Sequence, residues 1–155
     1  MATLRNRRAT SKPRKVSITG RDVAIMELLV ERRAETLDEL AGRFFAEQSR
    51  KRALNRLGQL ASAGYLQRTK VDVPSYDEPQ NVYTLGPKGE RALELRSPTA
   101  VELFADRRFN ATLRTASLPH QIMSNHVADW LGIRMTHEHL LSRRREGAAV
   151  RPDGV

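Results

Sequence analysis

The sequence predicts a mostly helical α+β protein, a winged helix-turn-helix with a two-stranded wing and a helical C-terminal extension. Three segments with helical spacing of apolar residues follow one another between residues 19 and 63, and only a short turn joins the second to the third. The period then changes to two over residues 65–73 and 82–85. These two runs predict an antiparallel hairpin with a loop of about eight residues. A hairpin directly after a third helix is a wing.

The first two helices carry their own start signals. Thr19 with Asp22 three residues later predicts a capping box, and Thr36 with Glu39 predicts a second one. A fourth helix begins after the hairpin, with Pro87 in its first turn. The winged helix-turn-helix is therefore expected to occupy residues 16–96.

The third helix is expected to begin at Ser49, to run to about residue 63 and to end at Gly64 in a left-handed conformation. One side carries an apolar seam, formed by Ala53, Leu54, Leu57, Leu60 and Ala61. The opposite side carries four groups at i, i+3, i+4 and i+7, namely Arg52, Asn55, Arg56 and Gln59. Arginine pairs bidentately with guanine, while asparagine and glutamine pair with adenine. These four residues are predicted to read bases in the major groove of DNA.

Phosphate contacts are predicted around this helix. Arg50 and Lys51 lie at its N-terminus beside free backbone amides, and Arg68 and Lys70 lie on the wing. Residues 1–15 form a basic arm without an acid, expected to be disordered in isolation. Its cations are Arg5, Arg7, Arg8, Lys12, Arg14 and Lys15. The plainer alternatives are a solvated helix face and a solubilising tail; against the first, no acid occurs between Ser49 and Val71.

The composition supports an anionic partner. The 155 residues carry a formal net charge of +9, which favours nucleic acid or an anionic membrane surface. The sequence contains no apolar run long enough to span a bilayer and no signal-peptide core, so a membrane role is not predicted. Cysteine is absent, which excludes disulfides and fits the cytoplasm of a bacterium.

The helical extension, residues 97–142, needs something to pack against, because the winged helix is expected to close its own core. A homodimer would supply that surface. The residues predicted to form the dimer contact are Phe104, Ile122, Val127, Trp130 and Leu131. Residues 143–155 read as a basic tail with proline and glycine.

Catalytic chemistry is not predicted, and neither is a metal or any other cofactor. His137 and His139 point to different sides of any helix and lack the i, i+4 spacing of a zinc helix. His120 and His126 are expected at the surface or at helix ends. Asp153 is a single carboxylate without a second acid to share a metal ion.

Two motifs carry a resemblance to bacterial winged helix-turn-helix proteins. The first is Leu57, Leu60, Gly64, Tyr65 and Leu66, and the second is Tyr83, Leu85 and Gly89. Two further segments, "HQIMSNHVADWL" and "RPDGV", add to this resemblance. The chain most resembles the replication-relaxation family of plasmids and mobile elements. The resemblance is good across residues 18–96 and loose across residues 119–155. In that family, the "RPDGV" segment looks like the entry to a further domain with a nuclease-like fold.

The resemblance implies a DNA-binding accessory or regulatory protein of plasmid replication or mobilisation, with other relaxosome or replication proteins as partners. A transcriptional repressor of MarR-like or PadR-like type would use the same core. An adaptor that contacts proteins and has lost DNA binding is a third alternative.

Overall fold

The computed structural model describes residues 15–96 and 115–132, and all structural statements below concern these ranges. Five α-helices and three strands form within them. The helices are α1 (Gly20–Arg32), α2 (Leu37–Phe44), α3 (Arg50–Ser62), α4 (Pro87–Glu94) and α5 (Leu118–Leu131). The strands are β1 (Glu35–Thr36), β2 (Leu66–Val71) and β3 (Gln80–Leu85). The predicted α+β winged helix-turn-helix is confirmed.

The sheet is antiparallel, with strand order β1-β3-β2. Strands β2 and β3 pair from Leu66 opposite Leu85 to Val71 opposite Gln80, which leaves a loop of eight residues, 72–79, between them. The length is as predicted, but the loop lies two residues earlier than the expected 74–81. Strand β1 is a third strand that the sequence analysis missed: Glu35 lies opposite Tyr83, and Thr36 opposite Val82. Two residues are too few to show an alternating pattern, so only the tertiary pairing reveals this strand.

Side-chain caps fix the starts of the first three helices. At α1 the capping box forms in both directions between Thr19 and Asp22, as predicted. At α2 the Thr36 hydroxyl accepts a hydrogen bond from the Glu39 N–H at 3.2 Å. The Glu39 carboxylate, however, lies 3.4 Å from His126 Nε2 on α5, so the second predicted capping box is satisfied in only one direction.

A tight backbone junction connects the end of α3 to the end of the wing. Gly64 adopts φ +85°, and the N–H of Tyr65 donates to the Leu60 carbonyl, which together form a Schellman motif. The N–H of Gly86 donates to the Tyr65 carbonyl, and the N–H of Lys88 donates to the Gly64 carbonyl. A Cβ on Gly86 would lie 2.5 Å from the Gly64 carbonyl oxygen. This close approach brings the N-terminus of α4 beside the end of α3.

The main core lies between α1, α2, α3 and the sheet. Its buried side chains include Ile25, Met26, Leu29, Leu40, Leu57, Leu60, Leu66 and Tyr83. A second, smaller cluster lies where α5 packs on the winged helix. It joins Leu118 and Ile122 of α5 to Ala34, Val71, Val73 and Val82. Helix α5 is therefore part of the same folded unit.

Candidate nucleic-acid interface

Helix α3 buries its apolar seam and leaves its polar side open. Three seam residues are fully buried, namely Ala53, Leu57 and Leu60. On the opposite side Arg52, Asn55 and Gln59 are exposed, whereas Arg56 is partly buried. Three of the four predicted base-reading residues are thus accessible from solvent.

An open groove runs along this exposed side, and we call it the cationic groove. Its walls are α3, residues 15–19, the start of β2 and the start of α4. The described residues that line it include four cations and no acid. The cations are Lys15, Arg56, Arg68 and Lys88. A groove lined by one sign of charge concentrates ligands of the opposite sign, so the charge of this surface favours anionic ligands.

Arg56 is held inside the protein instead of facing solvent. Its Nε donates to Asp22 Oδ1 at 3.0 Å, and its Nη2 donates both to Asp22 Oδ2 at 2.5 Å and to the Ser17 carbonyl at 2.7 Å. Its Nη1 donates to Gln59 Oε1 at 3.2 Å. These bonds occupy four of the five N–H donors of the guanidinium. The bidentate guanine contact expected of Arg56 does not fit this geometry, because it needs two free donors.

The directions of the pKa shifts of Arg56 and Asp22 agree with their hydrogen bonds. Burial alone would raise the pKa of Asp22, but hydrogen bonds from Arg56 and from Thr19 outweigh it and lower the pKa of the carboxyl. The bond to Asp22 in turn raises the pKa of Arg56. Both groups are therefore charged at neutral pH, and Arg56 ties α3 to the start of α1.

The predicted phosphate contacts at the N-terminus of α3 lie in two different situations. Lys51 is exposed, and no ion pair involves it within the described residues. Arg50 donates from Nε to Asp38 Oδ1 at 2.7 Å, in an ion pair whose two side chains are 62% and 44% exposed. Such an exposed pair is weak and opens at little cost, so Arg50 can still exchange its partner for a phosphate.

The wing contributes two exposed cations on β2, as expected. Arg68 lines the cationic groove, and Lys70 is exposed further along the strand. The loop at the tip carries exposed Asp72, Asp77 and Glu78. The cationic part of the wing is thus its base, next to α3. Lys88 is a groove cation that the sequence analysis missed; only the backbone bond to Gly64 reveals it.

A second polar site holds α5 against the winged helix, and we call it the α5 junction. Arg32 of α1 donates from Nη1 and Nη2 to the two carboxylate oxygens of Asp129, at 2.6 and 2.7 Å. Arg43 of α2 donates to Asp129 Oδ2 at 2.9 Å. Asn125 is buried and donates to the carbonyl oxygens of Arg32 and Ala34. None of these partners was predicted, since each pair is distant in sequence.

Glu35 is the most deeply buried carboxyl of the α5 junction. Its side chain is 0% exposed and forms an ion pair with Arg32. No well-aligned hydrogen bond to either carboxylate oxygen forms within the described residues. Burial therefore raises the pKa of Glu35 to about 7, although the neighbouring Arg32 opposes the shift.

The predicted dimer residues separate onto two sides of α5. Ile122 is fully buried against the sheet of its own chain, so its assignment to a dimer contact is wrong. The error came from expecting the winged helix to close its core without α5. Val127, Trp130 and Leu131 point away and are 52%, 83% and 53% exposed. Phe104 lies outside the described residues.

Several predicted residues also lie outside the described ranges. They are Arg5, Arg7, Arg8, Lys12 and Arg14 of the arm, the tail 143–155, and His137, His139 and Asp153. Within residues 15–96 and 115–132, no group of three histidine or acidic side chains is placed to hold a metal ion. No helix in these ranges is long and apolar enough to cross a bilayer.

The comparisons with known proteins leave the family open. No protein-family model matches this sequence, and no curated protein is significantly similar to it. The resemblance to the replication-relaxation family therefore stays a prediction.

Proposed function

We propose that this protein binds double-stranded DNA sequence-specifically and without catalysis, with α3 in the major groove. The observation that carries the proposal is the cationic groove, which lies beside the exposed face of α3 and is free of acidic side chains in the part of the chain described. Duplex DNA presents closely spaced phosphates on both sides of a major groove wide enough for one helix. An exposed polar helix flanked by cations fits that shape and charge.

The contacts fall into two classes. Arg52, Asn55 and Gln59 are exposed on the outer side of α3, where base edges would lie. Lys51 at the helix N-terminus, and Arg68 and Lys88 across the groove, would meet phosphates on the two sides of it. Arg56 belongs to neither class, because it positions α3 through Asp22.

The test is a salt titration of binding to duplex DNA, measured by fluorescence anisotropy. Arg68→Ala and Lys88→Ala are each expected to flatten the slope of log K against log salt by about 0.9, the value for one lost phosphate contact. Arg96→Ala is the control, because Arg96 is an exposed cation outside the lining of the groove. Absence of binding to any duplex at low salt would refute the proposal and favour the adaptor alternative.

The cellular role rests on the family resemblance alone. We propose that the protein acts in the bacterial cytoplasm in plasmid or mobile-element replication or mobilisation, together with other proteins of those assemblies. Sequencing the DNA recovered with the protein from its host tests this role. Sites near a transfer or replication origin would support it, whereas sites that overlap promoters would favour a repressor.

We further propose a homodimer that forms through the outer side of α5, where Val127, Trp130 and Leu131 are exposed. A two-fold dimer would cover these side chains and present two copies of α3 to two half-sites. Sedimentation over a concentration series tests the dimer. Trp130→Glu should shift the chain to a monomer, while Ala46→Glu, at an exposed position in the turn before α3, should not. A wild-type chain that stays monomeric throughout the series would contradict it.

A further inference from the structure

Arg21, in the first turn of α1, is an exposed cation that the sequence analysis left without a role. Its guanidinium carbon lies 4.8 Å from the centre of the Phe45 ring, and its Nη1 donates to Gln48 Oε1 at 3.3 Å. Phe45 is buried and Gln48 is half-buried. Two contacts therefore hold the guanidinium at one place on the surface, and both partners are neutral. Within the described ranges no carboxylate is paired with Arg21, so its positive charge is not balanced.

Arg21 lines an open pocket between the start of α1 and the N-terminal half of α3. Among the described residues, the charged side chains that line it are three arginines and one acid, namely Arg21, Arg52, Arg56 and Asp22. Asp22 is fully buried and is paired with Arg56. The charges of Arg21 and Arg52 remain, so this pocket has the sign that suits an anion.

Gln48 brings a neutral hydrogen-bond donor to the same pocket. A guanidinium has only N–H donors, so the atom of Gln48 that meets Arg21 is the carbonyl oxygen, and the NH₂ group lies on the other branch of the amide. Phosphate oxygens accept hydrogen bonds from both guanidinium and amide N–H groups. Arg21 and Gln48 together therefore offer the donors that a phosphate needs.

The pocket lies on the flank of α3 that faces away from the wing. At about 100° per residue, Arg56 and Ser62 fall about 60° to either side of Gln59, which is near the middle of the exposed face. Ser62 lines a surface together with β2, whereas Arg56 lines the pocket beside α1. Arg21 and Arg68 thus lie on the two flanks of the face that is proposed to enter the major groove.

We propose that Arg21 and Gln48 form a phosphate site for the DNA backbone on the α1 side of the major groove, separate from the phosphates that Arg68 contacts. The proposal rests on the proposed DNA binding and adds to it a contact that no spacing rule suggested. A duplex has a phosphate backbone on each side of its major groove. With Arg21 on one flank and Arg68 on the other, α3 is held in the groove from both sides.

The experiment scans the phosphates of a bound duplex that wild type selects from a randomised pool. Each phosphate in turn is replaced by an uncharged methylphosphonate, and affinity is measured by fluorescence anisotropy. At the phosphate of this site, the replacement should weaken wild type by about tenfold, near the lower end for a hydrogen bond to a charged group. The same replacement should have almost no effect on Arg21→Ala, because that variant has already lost the contact.

Three further variants identify the parts of the site. Gln48→Ala keeps the charge of Arg21 and should reduce the effect at the same phosphate without abolishing it. Arg68→Ala should abolish the effect at a different phosphate and leave this one unchanged. Arg96→Ala, which removes an exposed cation outside the lining of the pocket, should leave the whole scan unchanged. Thermal unfolding of each variant checks that it is folded at the temperature of the measurement.

A second measurement separates a phosphate contact from base reading. Arg21→Ala should weaken the selected duplex and a random duplex by the same factor, because a phosphate carries no sequence information. It should also flatten the slope of log K against log salt by about 0.9.

The outcomes separate this proposal from the proposed function. If wild type and Arg21→Ala respond alike at every phosphate while DNA is still bound, the site is wrong and the proposed function stands. The site is also wrong if the phosphate that depends on Arg21 is the one that depends on Arg68. If no duplex is bound even at low salt, both proposals fail.

Discussion

The exposed face of α3 and the α5 junction both carry arginines, but in opposite electrostatic situations. At the junction, Arg32 is 13% exposed and contacts the carboxylates of Glu35 and Asp129. On α3, Lys51 and Arg52 are exposed, and no carboxylate is paired with either of them among the described residues. The junction neutralises its cations within the protein, whereas α3 leaves them for a partner.

This difference shows how to interpret a cation in this fold. A buried charge contributes only if its partner is in place, and losing one partner costs several kcal/mol. An exposed charge contributes little to the fold but attracts phosphates, and salt weakens that attraction. Substitutions at the junction should therefore change stability, and substitutions on α3 should change DNA binding.

The largest expected effect is that of Arg32→Leu. At pH 8, where the carboxyl of Glu35 is mostly ionised, the change leaves it buried without a counter-charge, so it should lower the free energy of unfolding by about 3–5 kcal/mol. Urea denaturation measures it. Arg52→Leu is the matched control on α3 and should change stability by no more than about 0.5 kcal/mol. An equal loss of stability in both variants would contradict the distinction between the buried charges of the junction and the exposed charges of α3.

The second prediction is a pH dependence at the junction. The pKa of Glu35 is about 7 in the folded protein against an ordinary 4.5, with Arg32, Glu39, Arg43 and Asp129 as the charged groups around it. A raised pKa gives stability that is fully present below pH 4.5 and is lost as pH rises through about 7. The pKa difference of about 2.5 corresponds to about 3 kcal/mol.

Glu35→Gln removes this titration and tests the sign. The stability of wild type relative to the variant should fall between pH 4.5 and pH 8, when urea denaturation is followed at several pH values. The same variant should leave DNA affinity at fixed pH unchanged. A wild-type stability that rises relative to the variant over that range would contradict the burial of a neutral carboxyl.

The sequence carried enough local information to predict α1, α3 and the hairpin. The capping box at Thr19, the Ser49 cap and the left-handed Gly64 depend on residues a few positions apart, so their signals lie within one helix. The exposure of Arg52 followed equally from helical spacing. All of these are features of local structure, which residues close together in the sequence determine.

The remaining features depend on contacts between distant segments. Arg56 meets an aspartate 34 residues away, and Arg32 meets one 97 residues away, so no spacing rule could pair them. Ile122 and Trp130 are both large and apolar on one helix, and the sequence could not decide which of them faces the sheet. Folding places Ile122 inside and Trp130 outside.

Arg56 combines features of both regions, because it lies on α3 but is paired with a buried carboxylate, as Arg32 is at the junction. If Arg56 read a base, as the sequence predicts, its removal would weaken binding to a preferred site by about 1–3 kcal/mol and binding to random duplex much less. With Asp22 buried beneath it, Arg56→Met should instead lower the free energy of unfolding by about 2 kcal/mol, the range for a hydrogen bond to a charged group. Arg52→Met, the control, should leave stability nearly unchanged and weaken binding. Thermal or urea unfolding beside DNA titration distinguishes them.

The smallest expected effect concerns the one cation on α3 that has an exposed partner. The ion pair between Arg50 and Asp38 is accessible to water on both sides, so Asp38→Asn should change stability by only about 0–1 kcal/mol. The same change removes a negative charge next to the N-terminus of α3 and frees Arg50 for phosphate. DNA should therefore bind more tightly, and the slope of log K against log salt should steepen by up to about 0.9.

Glu94→Gln is the control, since Glu94 is an exposed acid on α4 that lines none of the groove. If Asp38→Asn weakens binding, the pair orients Arg50 for DNA instead of competing with it, and even an exposed pair on α3 then acts as a positioning contact.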